Sequence, residues 1–167
     1  MAIHAYLPKL ARHFEDRLSA LRVDSERRFG TMDSTNMLRH MRKSFESAVG
    51  VGAEDVKDIS VSIFRTIMFF VSTRIVKKYP GGKISAPGYW SPAAEGDFDE
   101  ELQLFRESAA NFLEKLASAP DERHLHPIFG KLSARQWGLL LGPHLNHHLR
   151  QFGVLCVRLL FFRIHVY

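Results

Sequence analysis

Apolar residues that recur every three or four positions constrain this chain more than anything else in it, because that period matches one face of an α-helix and no face of a strand. Residues 4 to 22 carry Tyr6, Leu7, Leu10, Phe14, Leu18 and Leu21 at that spacing, with Lys9, Arg12, Asp16 and Arg17 off the stripe. A second helix begins after Asp33, whose carboxylate suits an N-cap, and sets Met37, Met41, Ser44, Phe45 and Ala48 against Arg39, Arg42, Lys43 and Glu46. Gly50 and Gly52 end it. A third helix, from about Glu54 to Lys78, contains ISVSIFRTIMFFVSTRIV. Arg65 and Arg74 interrupt that apolar run, and Ser60, Ser62, Thr66 and Thr73 edge it, so it reads as a buried bundle helix rather than a membrane span.

From Tyr79 to Gly96 the period is broken by Pro80, Gly81, Gly82, Pro87, Gly88 and Pro92, which predicts one long loop carrying Tyr89 and Trp90. The two aromatics pin the loop to the core or cover a substrate. A fourth helix, roughly Asp99 to Ala117, turns Leu102, Phe105, Ala109, Phe112, Leu113 and Leu116 inward, and Pro120 stops it. The last helix starts at LSARQW, where Ser133 and Gln136 can form a capping box and Leu132 can pack on Trp137. Pro143 predicts a kink or restart within it. Strand signals are weak throughout. The expected fold is all-α, an antiparallel four-helix bundle with an extra helix or helical extension and one long loop, formed by residues 1–167 as a single domain.

The chain's 167 residues suffice for one ordinary core, and 46% hydrophobic with 25% charged residues is the balance of a water-soluble protein. Cys156 is the only cysteine, which excludes an intramolecular disulfide, and the first twenty residues have no signal-peptide core, so the reading is cytoplasmic. The net charge of +5 is spread without any run of five basic residues, which gives no nucleic-acid footprint, and no membrane association is expected.

Against this frame the histidines stand out. In GPHLNHHLRQF the last helix places His144 and His148 on the same stripe as Trp137, Leu140, Leu141, Gln151, Phe152 and Leu155, whereas Arg135, Asn146 and Arg150 lie elsewhere. Four residues apart on one face, two imidazoles can share an ion. His147 is rotated about 100° from His148 and flanks the stripe. On the second helix His40, three after Met37 and four before Ser44, also faces inward. One inward histidine is ordinarily a hydrogen-bonded core residue. Three of them in a dry core each need a partner, and a shared divalent ion supplies it to all. The predicted ligands are His40, His144 and His148, with zinc the first choice of metal and nickel, manganese or iron the alternatives.

Other chemistry is absent from the pattern. YPGGKIS lacks the leading glycine and the Ser/Thr of a P-loop, GVGAED lacks the third glycine of a dinucleotide fingerprint, and neither GxSxG nor HExxH occurs. His124 and His126 in ERHLHPIFG read as structural. Cys156, about 12 Å along the helix from His148, is too far to join the same ion and reads as a small apolar residue.

The string HPIFGKLSARQWGLLLGPHLNHHLRQFGV, from His126 to Val154, resembles the C-terminal signature of a domain-of-unknown-function branch of the DinB-like (YfiT-like) superfamily. RFGTMDSTNMLRHMRKSFESAVG resembles that branch's second helix with its single histidine, and with KKYPGGKISAP the likeness covers most of residues 25 to 154. It implies a four-helix bundle in which one histidine from the second helix and an H-x-x-x-H pair from the last hold a divalent metal, which by position are His40, His144 and His148. It also implies metal-assisted S-transferase or isomerase chemistry with a low-molecular-weight thiol. Pro143 and the apolar tail LCVRLLFFRIHVY depart from the family's pattern. The tail extends the last helix or packs on a second copy of the chain, which makes a homodimer an expectation.

Three imidazoles leave a position open on the metal, as in catalytic sites, where a bound water or thiol becomes a nucleophile. His147 and Gln151, one and three residues from His148, are the nearest candidates for orienting a ligand or moving a proton. The expected function is that of a divalent-metal-binding protein, for which the resemblance implies thiol transfer between a small thiol and an electrophile. The alternatives are a metal-dependent hydrolase and a stress or interaction module in which the ion only fixes the bundle.

Overall fold

The computed structural model describes residues 11–12, 14–53, 69 and 96–154. The expected helix over 54 to 78, the loop bearing Tyr89 and Trp90, Cys156 and the apolar tail fall outside the described residues, apart from helical Phe69 and the loop's last residue, Gly96. Within the described residues the chain is mostly helical, with one small two-stranded sheet.

Helix α1, Ser34–Ala48, begins where Asp33, in extended backbone, accepts from the Asn36 amide at 2.7 Å. A side-chain oxygen satisfies an amide that has no partner inside the helix. After α1, Gly50 adopts φ 82°, and a Cβ there would lie 2.6 Å from His124 Nδ1. Both the backbone and the close approach call for glycine. Helix α2, Phe98–Ser118, is capped by Asp97, which accepts from the Glu100 amide at 2.8 Å, and its first turn holds Asp99, Glu100 and Glu101 against the positive end of the helix dipole. It ends before Pro120, as the sequence predicts.

The all-α expectation needs one correction. Strands β1, Arg123–His126, and β2, Gly130–Ser133, pair antiparallel from Arg123↔Ser133 to His126↔Gly130. Four residues per strand are too few to display a period of two. The turn is held instead by a side chain: His126 Nδ1 accepts from the amides of Ile128 at 3.1 Å and Phe129 at 3.2 Å, and Gly130 takes φ 70°. His126 and His124 therefore serve the hairpin, as read. Trp137 Nε1 donates to the His124 carbonyl at 3.3 Å and ties the hairpin to the helix that follows.

Helix α3, Ala134–Gln151, opens with the expected capping box: the Gln136 amide donates to Ser133 Oγ at 3.3 Å, and the Ser133 amide to Gln136 Oε1 at 2.9 Å. Leu132 and Trp137, the expected staple pair, are both buried. The helix runs through Pro143 without a break. Pro143 is exposed, so its ring is accommodated on the solvent side.

The core joins Met37, Leu38, Met41 and Phe45 of α1 to Phe105 and Phe112 of α2 and to Trp137, Leu141 and Leu149 of α3. Phe45 meets Phe105 and Phe112 edge to face, with ring centroids 5.5 and 5.6 Å apart. Charged residues off the apolar stripes pair across elements. Arg42 of α1 grips the buried Glu101 of α2 through Nε at 2.9 Å and Nη2 at 3.1 Å, with Arg39 at 3.6 Å from the same carboxylate. Arg39 and Arg42 of the polar face of α1 thus turn toward α2. The first helix also ends earlier than expected, at Leu18, and Arg17 is buried, donating to Asn146 Oδ1 at 2.8 Å and to the Val154 carbonyl at 2.8 Å beyond the end of α3.

Candidate metal centre

The apolar stripes of α1 and α3 bring three histidines to one point. His40 follows Met37 and Leu38 into the core and is only 2% exposed, and Ser44, one turn on, donates its hydroxyl to the His40 carbonyl at 3.0 Å. On α3, His148 is buried and His144, one turn earlier, is partly buried. Ring planes meet at 53° to 78°, so edges rather than faces converge. The atoms that meet are Nε2 atoms: His144 Nε2 lies 3.0 Å from His40 Nε2 and 3.1 Å from His148 Nε2. Ligand atoms of the three residues all lie within 4.8 Å of one another.

Hydrogen bonding alone serves this arrangement poorly. A neutral imidazole nitrogen carries either one proton or one lone pair in the ring plane, yet His144 Nε2 has two imidazole nitrogens at bonding distance. One proton, or one lone pair, cannot point fully at both. A cation between the rings would take a lone pair from each. His40, His144 and His148 would hold such an ion through these nitrogens, the donor type that zinc takes from histidine. The donor set fits a divalent ion.

Charge points the same way. Burial, and then the neighbouring imidazoles, push His144 well below its ordinary value. Burial pushes His148 down to about 3, with His40 adding to the effect and the Gln151 hydrogen bond opposing it. Both rings are therefore neutral near pH 7, the protonation state in which histidine binds metal.

Gln151, predicted to orient a ligand, has Oε1 at 2.9 Å from His148 Nδ1. His147 flanks the cluster through the His148 ring and is not one of the three grouped ligands. Half-buried, it packs against the rings of Phe29 and His148, with centroids 5.2 and 5.1 Å away, and burial followed by Arg150 lowers its pKa. Sequence reasoning missed the segment around Phe29, whose carbonyl accepts from Gln151 Nε2 at 2.9 Å. Its signal was Gly30: with φ 78° and a Cβ position 2.6 Å from Gln151 Nε2, only glycine lets the backbone come so near.

A family model described as "Protein of unknown function (DUF1569)" matches residues 8–154. The chain belongs to the DUF1569 family. The match spans α1, α2, the hairpin and α3, and so includes all three clustered histidines of this DUF1569 protein. No curated protein and no solved structure matches the chain. Among the described residues, no helix is long and apolar enough to cross a membrane.

Proposed function

We propose that this DUF1569 protein is a DinB-like four-helix bundle in which His40, His144 and His148 hold one divalent ion, with zinc the first choice, for chemistry between a small thiol and an electrophile in the cytoplasm. The observation that carries the reading is the meeting of three imidazole Nε2 atoms from two helices at the edge of the core. An ion bound by three imidazoles retains open positions and supplies the Lewis acidity that lowers the pKa of a water or thiol. The chain's own residues supply the rest. His40 and His148, shut into the core, fix the geometry of the ligand set. Gln151 holds the His148 ring in orientation through Nδ1. Half-buried His147 stands beside the cluster as a base able to move a proton.

The test is cobalt substitution. Protein loaded with Co²⁺ is titrated with glutathione, bacillithiol, mycothiol and coenzyme A while visible and near-ultraviolet absorption is followed. At least one thiol is expected to produce a new sulfur-to-metal band and to shift the visible spectrum. Silence across all four would contradict the thiol assignment and favour an ion that only staples the helices.

A further inference from the structure

The three contacts His148 Nδ1 to Gln151 Oε1 at 2.9 Å, Gln151 Nε2 to the Phe29 carbonyl at 2.9 Å, and His148 Nε2 to His144 Nε2 at 3.1 Å form a chain whose hydrogen-bond polarity is fixed from one end. A backbone carbonyl can only accept. The Gln151 group facing Phe29 is therefore the NH₂, which leaves the amide oxygen facing His148. An amide oxygen also only accepts, so Nδ1 of His148 carries the proton, and of the two neutral tautomers only the one with the lone pair on Nε2 satisfies the contact. That lone pair lies at the point where the three imidazoles meet.

We propose that the main-chain carbonyl of Phe29, acting through Gln151 as a positioning residue, locks His148 in the Nδ1–H tautomer and so presents its Nε2 lone pair to the centre. Neutral histidine in water favours the opposite tautomer, with the proton on Nε2, which would close that nitrogen to a metal. The relay reverses the preference before any ion arrives. Its purpose rests on the metal reading above, but the tautomer itself does not.

The surrounding segment is built to hold the carbonyl in place. The Arg28 amide donates to the Gln151 carbonyl at 2.7 Å, so residues 28 and 29 clasp Gln151 by both its main chain and its side chain. Gly30 then turns away at φ 78°, in a space where a Cβ would strike the Gln151 amide nitrogen. Phe29 also lays its ring against His147. A segment more than a hundred residues away in sequence thereby sets the protonation of one ring nitrogen.

The experiment is ¹⁵N–¹H correlation of the histidine side chains in metal-free, full-length protein near pH 7.5. His148 is expected as Nδ1–H in the wild type. Gln151→Leu, which offers no acceptor, should move it toward Nε2–H and weaken Zn²⁺ binding about 10- to 100-fold, as loss of a group supporting a metal ligand does. Gln151→Glu keeps an acceptor at Nδ1 while losing the donor to Phe29, and should retain the Nδ1–H form. Wild-type His148 found as Nε2–H overturns the proposal without any variant, and so does a tautomer unchanged in Gln151→Leu. An Nδ1–H wild type that takes up no divalent ion would uphold the relay and defeat the metal reading, so the two failures are distinct.

Discussion

His126 should make this protein acid-sensitive by a calculable amount. Its ring is 6% exposed and packed between Phe129 and Trp137, with centroids 4.6 and 4.9 Å away, and burial pushes its pKa down to about 3. Geometry adds a reason: the amides of Ile128 and Phe129 already point at Nδ1, so a proton there would displace two donors. In the unfolded chain the same ring titrates near 6.5. The folded value is the lower one, so the unfolded state binds more protons between the two values, and stability is whole above about pH 6.5 and falls as pH drops toward 3. Linkage with these two values gives a loss of about 2 kcal/mol between roughly pH 7.5 and pH 5 from His126 alone. The assay is urea unfolding at a series of pH values, with chelator present throughout, for wild type and His126→Asn. The Asn amide oxygen can replace Nδ1 as acceptor but does not titrate. The variant should be less stable at neutral pH, since it leaves space beside Trp137, yet its pH profile should be flatter than wild type by that 2 kcal/mol. Parallel profiles for the two proteins would refute the reasoning.

Glu101→Ala should destabilise by about 3 kcal/mol in urea unfolding, because it leaves Arg42 inside the α1–α2 contact without the carboxylate that grips it. A loss below about 0.5 kcal/mol would mean the cluster is as weak as a surface pair. Ser133→Ala should cost about 1 kcal/mol by removing the oxygen that accepts from the Gln136 amide, and no change in midpoint would discount the capping box. Gly50→Ala should be destabilising in thermal unfolding, since φ 82° and the approach to His124 both resist a Cβ, and a neutral result would mean that the His124 ring moves aside at no cost.

What the sequence revealed and what it hid follow from the range of the interactions involved. The starts of α1 and α3 were legible because caps are local: Asp33 with Asn36, and Ser133 with Gln136, lie within one turn. The inward placement of His40, His144 and His148 followed from the helical period alone. The hairpin was not legible, because its strands are four residues long and its turn depends on a histidine side chain accepting two amides. Neither was the burial of Glu101 and Arg17, whose partners lie on other elements and whose charge reads as solvated wherever the pairing is unknown. The clasp of Phe29 on Gln151 spans 122 residues, beyond the reach of any periodicity.

Zinc titration against a competing chelator, on wild type and four single variants, tests the central claim most directly. Wild type should bind about one ion per chain, because the ligand atoms of three imidazoles lie within 4.8 Å of one another. His40→Ala, His144→Ala and His148→Ala should each lose affinity by orders of magnitude, since each removes one of three ligands. His147→Ala, whose ring flanks the cluster, should still bind, with a loss of no more than about 10- to 100-fold. Wild type that binds no zinc, nickel or manganese, or a set in which His147→Ala abolishes binding while His144→Ala does not, would contradict the account.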